Sequence, residues 1–126
     1  MTENKLVDLS FDFAKSIVNL VDSVKTPKSS YLVNQLARAG TSVGANIHEA
    51  QYAHSKADFI AKLEIALKEA NEASYWLKLM VQTGRIGEAD YQRAENQCGS
   101  IRRLLIASGT TAKANLQKTS KPHGAE

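Results

Sequence analysis

The chain has 126 residues, of which 43% are hydrophobic and 23% are charged, and this composition is ordinary for one globular domain with its own core. No segment approaches the roughly 20 apolar residues that cross a bilayer. The first ten residues, MTENKLVDLS, lack the basic stretch and apolar core of a signal peptide. These features exclude wholesale disorder and a membrane-spanning helix, and we expect a cytoplasmic protein.

The formal net charge of +3 is unevenly distributed along the chain. From Ile101 onward, five basic residues stand against one acidic residue, a balance of +4, so the preceding residues carry −1. Such an excess attracts a phosphate backbone or an acidic partner. The candidate nucleic-acid contacts are Arg102, Arg103, Lys113 and Lys118. The alternative is a solvated tail that only improves solubility.

A first helix is predicted over about residues 5–25, because apolar residues recur every three or four positions. They are Leu6, Leu9, Phe13, Ile17, Leu20 and Val24. Pro27 disfavours helix at the residue before it, and Ser29 or Ser30 can cap the next helix through its hydroxyl group.

A second helix is predicted over about residues 30–52, and it contains QLARAGTSVGANIHEAQ from Gln35 to Gln51. Its apolar face consists of Leu32, Leu36, Ala39, Gly40, Val43, Ile47 and Ala50. Each glycine in a helix costs about 1 kcal/mol relative to alanine, so we expect close packing against neighbouring helices to compensate. A mobile loop is the alternative, but it does not explain apolar residues at helical spacing.

A polar row runs beside this apolar face at the same spacing. It consists of Gln35, Arg38, Ser42, Asn46 and Glu49. We hypothesise that the row is the polar part of a subunit interface and determines its register, as buried polar residues do in coiled coils. A row that faces solvent is the alternative.

A third helix is predicted over about residues 56–83, with Ser55 and Asp58 spaced to satisfy the free amides of its first turn and Gly84 ending it. Its main apolar face runs from Phe59 to Met80. A second apolar strip lies on the far side and consists of Ile65, Trp76 and Leu79. Such a strip favours a subunit contact, although Trp76 can also lie flat on a neighbouring helix.

A fourth helix is predicted over about residues 88–116, with Glu88 and Asp90 in its first turn. Residues 117–126 have no periodicity and contain proline and glycine, which predicts a disordered basic tail. Short joints force consecutive helices to pack side by side. Residues 1–116 are therefore predicted to form an all-α, up-down-up-down antiparallel four-helix bundle.

The sequence contains no constellation that is typical of catalysis or metal binding. No glutamate precedes a histidine by three residues as di-iron bundles require, and His48 and His54 do not share a helix face. The single cysteine, Cys98, suits a small buried apolar position. We therefore predict that the protein is not an enzyme and binds no metal or cofactor.

Two segments carry a resemblance to a known family. QLARAGTSVGANIHEAQ, followed by SKADFIAKLEIALKEANEASYWLKLM from Ser55 to Met80, resembles the four helix bundle proteins of the 23S rRNA intervening-sequence family. The resemblance covers about residues 5 to 110. Its strongest parts are Gln35-Leu36, Arg38-Ala39, Ser42 to Ile47 with Glu49, Phe59-Ile60, Ala66 to Ala70 and Tyr75 to Leu77. The chain departs from the family pattern at Ala37, His48 and Ala50, where the family has arginine, alanine and glycine.

The resemblance implies an assembly as well as a fold. Family members are similar in forming short antiparallel bundles that associate into rings, commonly pentamers. A related branch, the accessory variability determinants of diversity-generating retroelements, binds nucleic acid and a reverse transcriptase. The resemblance therefore implies a homopentamer that binds RNA or DNA and assists a polymerase. The alternative is a protein–protein assembly module with no nucleic-acid role, whose basic tail is incidental.

Overall fold

Four helices run up and down in a computed structural model that describes residues 2–25 and 27–125, with side chains described for residues 5–25 and 27–118. They are α1 (Thr2–Asp22), α2 (Ser30–Ala50), α3 (Lys56–Gln82) and α4 (Glu88–Ala125), with a short 3₁₀ turn (Pro27–Ser29) before α2. Each helix packs against the next in sequence, and α1 also packs against α4. The described residues contain no strand. The predicted all-α, antiparallel four-helix bundle is confirmed.

The turn between α1 and α2 differs from the prediction. Helix α1 ends at Asp22, about three residues early, and Thr26, where we predicted a break before Pro27, lies outside the described residues. Ser29 occupies the N-cap of α2, but its backbone is not in the extended conformation and its hydroxyl makes no capping bond. The Ser29 hydroxyl instead accepts a hydrogen bond from Nε of Arg85 at 2.9 Å, which joins this turn to the turn between α3 and α4.

The ends of α3 follow the prediction. The Asp58 amide donates to Oγ of Ser55 at 3.0 Å, and the His54 amide donates to the Asp58 carboxylate at 3.2 Å. At the other end, Gly84 has a positive φ of 75°, which glycine adopts without strain. The Arg85 amide then donates to the carbonyl of Met80 at 2.8 Å, as in a helix C-terminal cap.

Helix α4 is longer than the sequence predicted. It continues to Ala125, whereas we predicted an end near residue 116 and a disordered tail over 117–126. Residues 110–121 contain no glycine or proline, so local propensity does not end the helix at 116. Glu126 lies outside the described residues.

The core consists of the apolar faces that the sequence predicts. The largest fully buried side chains are Phe13, Ile17, Leu36, Val43, Ile47, Leu77, Met80, Cys98 and Ile101. On α3, Phe59 packs against the core while only partly buried, and its neighbour Ile60 is buried as well. Close packing at the helical glycines is confirmed. A Cβ added to Gly40 would lie 2.9 Å from two side-chain carbons of Ile17, and one added to Gly44 would lie 3.3 Å from the Ser10 carbonyl oxygen.

Replacing Gly40 with alanine should lower the free energy of unfolding by about 1–3 kcal/mol, because the new methyl group would overlap the fully buried Ile17. Gly109→Ala is the matched control. It lies in α4 with no atom within 4 Å of an added Cβ, so it should raise the same free energy by about 0.5–1 kcal/mol. Urea unfolding at one fixed protein concentration measures both. Changes of the same sign would contradict the close contact.

Candidate functional site

Of the four basic residues predicted to contact nucleic acid, two form ion pairs with glutamates and two do not. Arg102 forms an ion pair with Glu95 at 3.3 Å, and Lys113 forms one with Glu64 at 2.8 Å. Arg103 is exposed and donates a hydrogen bond to Oγ of Ser100 at 3.3 Å, and Lys118 is exposed. All four lie on α4, but only Arg103 and Lys118 are without a carboxylate partner among the described residues.

Arg102 belongs to a polar cluster between α3 and α4. Its partner Glu95 also accepts hydrogen bonds from the Ser74 hydroxyl at 2.8 and 2.9 Å, so this carboxylate joins the two helices. The side chain of Arg102 is only 28% exposed. Because Glu95 is also only 23% exposed, the pair lies at the contact between α3 and α4, and Arg102 presents little of its charge to solvent.

Cys98 lies beside this cluster and is fully buried, as predicted. Its thiol donates to the carbonyl oxygen of Ala70 at 3.2 Å. Burial raises the pKa of the thiol to about 11, because the apolar surroundings disfavour the thiolate. The thiol is therefore protonated at neutral pH, and a protonated thiol is a poor nucleophile.

The polar row of α2 faces α3 of the same chain at two points. Arg38 donates to the carboxylates of Glu69, at 3.1 Å, and of Glu72. Glu49 lies 4.0 Å from the ammonium group of Lys62. The row is otherwise local, since Asn46 donates to the backbone carbonyl of Ser42 at 2.9 Å and Gln35 is exposed. The structure thus gives Arg38 and Glu49 partners within the chain, while the predicted role of the row in a subunit interface stays a prediction.

Glu72 connects the polar row to the second apolar strip of α3. Its carboxylate accepts a hydrogen bond from Nε1 of Trp76 at 3.1 Å as well as from Arg38. These two hydrogen bonds, with that from Trp76 the larger influence, hold the pKa of the Glu72 carboxyl below its usual value. The Trp76 ring is thereby fixed at its polar edge.

The second apolar strip is only partly exposed. Trp76 and Leu79 are half-buried and pack against the core, whereas Ile65 is 43% exposed. Trp76 thus covers its own bundle in part, which was the alternative interpretation. Tyr75, which is 60% exposed and meets Trp76 edge to face, extends the strip, although the sequence interpretation did not include it.

The sequence interpretation also missed a groove between the outer faces of α1 and α2, hereafter the α1/α2 groove. It has a volume of about 850 Å³ and is lined by Val7, Asp8, Ser10, Phe11, Asp12, Ala14, Thr41, Gly44, Ala45, His48 and Glu49. The available signal was an apolar row off the main face of α1 that consists of Val7, Phe11 and Ala14, all of which line the groove. They lie four and three positions apart and therefore on one side of the helix.

Two features are absent from the described residues. No group of three or more histidine, cysteine, aspartate or glutamate side chains is arranged to hold a metal ion in that part of the chain. Among the helices described, none combines the length and the apolar character that crossing a membrane requires.

Comparison with known proteins places the chain among similar sequences and structures. The model of a family described as 23S rRNA-intervening sequence protein matches residues 2–107. A crystal structure from Bacteroides thetaiotaomicron, described as a protein with unknown function from the S23 ribosomal protein family, is 44% identical with a TM-score of 0.81. The match covers 87% of this chain and 99% of that one. No curated protein matches the chain.

Glu72→Gln should be less stable than the parent protein at neutral pH, by at most about 1 kcal/mol because the side chain is 32% exposed. A carboxyl whose pKa is lowered in the folded state stabilises the fold above its unfolded-state pKa. It loses this contribution as the pH falls through its folded-state pKa. The difference between variant and parent should therefore disappear in acid, below the usual range of a glutamate pKa.

Thermal unfolding over a series of pH values measures this difference. Glu64→Gln is the control, because its pair with Lys113 is more than half exposed on both sides and should add little at any pH. If the unfolding temperatures of both variants equal that of the parent at every pH, the Arg38–Glu72–Trp76 contact does not stabilise the fold.

Proposed function

The chain belongs to the 23S rRNA-intervening sequence protein family, and from this premise we propose that it is a non-enzymatic, homo-oligomeric nucleic-acid-binding protein. In this proposal the chains form a homopentameric ring in the cytoplasm and present α4 to structured RNA or DNA. The ring assists a polymerase such as a retroelement reverse transcriptase.

The observation that carries the proposal is the basic surface of α4. Arg103 and Lys118 are exposed on one helix, fifteen positions apart, which corresponds to about 22 Å along its axis. The ion pair of Lys113 with Glu64 is more than half exposed on both sides, so a phosphate can compete for this lysine at little cost. Each chain therefore offers two or three cationic contacts to a nucleic-acid backbone.

A ring of several chains would bind a nucleic acid more tightly than the basic surface of one chain does. One chain with a net charge of +3 binds phosphates weakly, but the same contacts repeated around a ring act together on one ligand. Counterion release then makes the affinity strongly dependent on salt.

The second candidate function is a protein assembly module with no nucleic-acid role. It is favoured by the ion pair of Arg102 with Glu95, which removes one predicted phosphate contact from the surface of α4. The exposed apolar residues Ile65 and Tyr75 are compatible with either function, since both require association of chains.

If the second apolar strip forms the subunit contact, Ile65→Asp should lower the assembly mass measured by light scattering. A carboxylate would be buried there without a partner. Ile106→Asp is the matched control, since Ile106 is an exposed isoleucine of α4 outside the strip.

The polar row is tested in the same assay with Arg38→Ala and Asn46→Leu. If both leave the mass unchanged, the row is not part of the interface.

Nucleic-acid binding is tested by titrating the purified protein with a structured RNA and a DNA duplex at several salt concentrations. We expect affinity to fall steeply with salt. Arg103→Ala and Lys118→Ala should each lower the slope of log affinity against log salt by about one for every subunit that contacts the ligand, because each removes one cation per chain from a phosphate. Arg102→Ala should lower it less, because Glu95 already neutralises that charge.

Lys25→Ala is the control, an exposed lysine beyond the end of α1 that should leave the slope unchanged. Light scattering on the same samples reports whether the assembly is intact. An intact assembly that binds neither ligand at low salt would reject the nucleic-acid proposal and leave the assembly module.

A further inference from the structure

The α1/α2 groove has no role in the function proposed above, yet it exposes apolar surface in a concave site. On the α2 side its lining includes the small residues Gly44 and Ala45. On the α1 side stands Phe11, whose ring is 64% exposed and lies 5.5 Å from the Lys15 ammonium group. Single exposed apolar residues are common. The volume of this groove, about 850 Å³, lies in the range of the clefts that bind ligands.

The charge of the groove is negative on both of its sides. Asp8 and Asp12 lie on the α1 side and Glu49 lies on the α2 side, and His48 is the one basic side chain among the described residues that line it. Two lysines lie at the edges, with Lys15 3.3 Å from Asp12 and Lys62 4.0 Å from Glu49. Three of these four side chains are more than half exposed and Lys62 is 31% exposed, and exposed pairs contribute little and exchange readily.

This charge excludes several occupants. Carboxylates on both sides repel the phosphates of a nucleic acid or of an anionic lipid surface. The occupant that the groove attracts carries positive charge.

The shape of the groove favours a helix as the occupant. Its walls are helices whose backbone groups bond within each helix, so it offers no strand edge to which an extended peptide could add. A helix satisfies its own backbone groups and presents apolar side chains at positions i, i+3, i+4 and i+7. Such a row can contact Phe11 and the small residues of α2, while flanking lysines or arginines reach the carboxylates on either side.

We infer that the α1/α2 groove is the docking site for a cationic amphipathic helix of a partner protein. The apolar face of that helix covers Phe11 and Ala45, and its basic residues pair with Asp8, Asp12 and Glu49. The site is separate from the basic surface of α4, so the protein can hold a basic partner and a nucleic acid at the same time.

The test uses the full chain and two labelled synthetic peptides with the same leucine face, one flanked by lysines and one by glutamates. Fluorescence anisotropy should show binding of the lysine peptide at least about tenfold tighter than binding of the glutamate peptide, with the difference shrinking as salt increases. The double variant Asp8→Lys, Asp12→Lys should weaken the lysine peptide at least about tenfold. Ala45→Arg should abolish its binding, because it fills the groove and adds a like charge.

Two controls match these variants. Asp22→Lys makes on α1, outside the groove, the charge change that each half of the double variant makes, and Ala61→Arg places the same bulk at an exposed alanine of α3. Both should bind the lysine peptide as the parent does. Circular dichroism confirms that each variant remains helical.

Three results would overturn the inference. In the first, the lysine peptide does not bind at low salt, and in the second, both peptides bind equally well. In the third, Ala45→Arg lowers the assembly mass while Ala61→Arg does not, which would identify the groove as a contact between copies of this chain. Each result leaves the nucleic-acid proposal unaffected, because its test depends on Arg103 and Lys118 of α4.

Discussion

The close approach of α1 and α2 at two glycines determines how the rest of the bundle is arranged. Ile17 occupies the space that a side chain at residue 40 would fill, and the Ser10 carbonyl lies against Gly44. With its apolar face buried this closely, α2 can turn its polar row only toward α3 or solvent. Arg38 then meets Glu69 and Glu72, so the backbone contact on one side of α2 aligns the ion pairs on the other.

The ion pairs within the chain decide which charges remain available to a partner. Arg38 and Arg102 are engaged by glutamates, whereas Arg103 and Lys118 on α4 have no carboxylate partner among the described side chains. The carboxylates Asp8 and Asp12 lie at the other end of the sequence, on α1. The small net charge of +3 therefore hides a basic helix α4 and an acidic α1/α2 groove, which attract ligands of opposite sign.

The fold itself carries no chemistry, because four-helix bundles support many unrelated functions. The function of this chain must therefore be argued from its surfaces. Among the described residues, its uncovered surfaces include the basic side of α4, the strip around Ile65 and the α1/α2 groove. A protein with several such surfaces is suited to bring other molecules together.

The sequence alone determined the helices, their apolar faces, the Ser55 and Asp58 cap and the end of α3 at Gly84, because these depend on residues within a few positions of one another. It also singled out Arg38 and the basic residues of α4. The tertiary structure decided what those side chains contact. Glu69 lies 31 positions from Arg38, and Glu64 lies on a different helix from Lys113.

The groove could not be predicted from the sequence either, because it exists only where the outer faces of α1 and α2 come together. Helical periodicity shows which residues share one face of one helix, and it contains no information about the rotation and separation of two helices. Here the packing of Ile17 against Gly40 sets that separation. Pairing across helices and the concave surfaces between them follow from this contact.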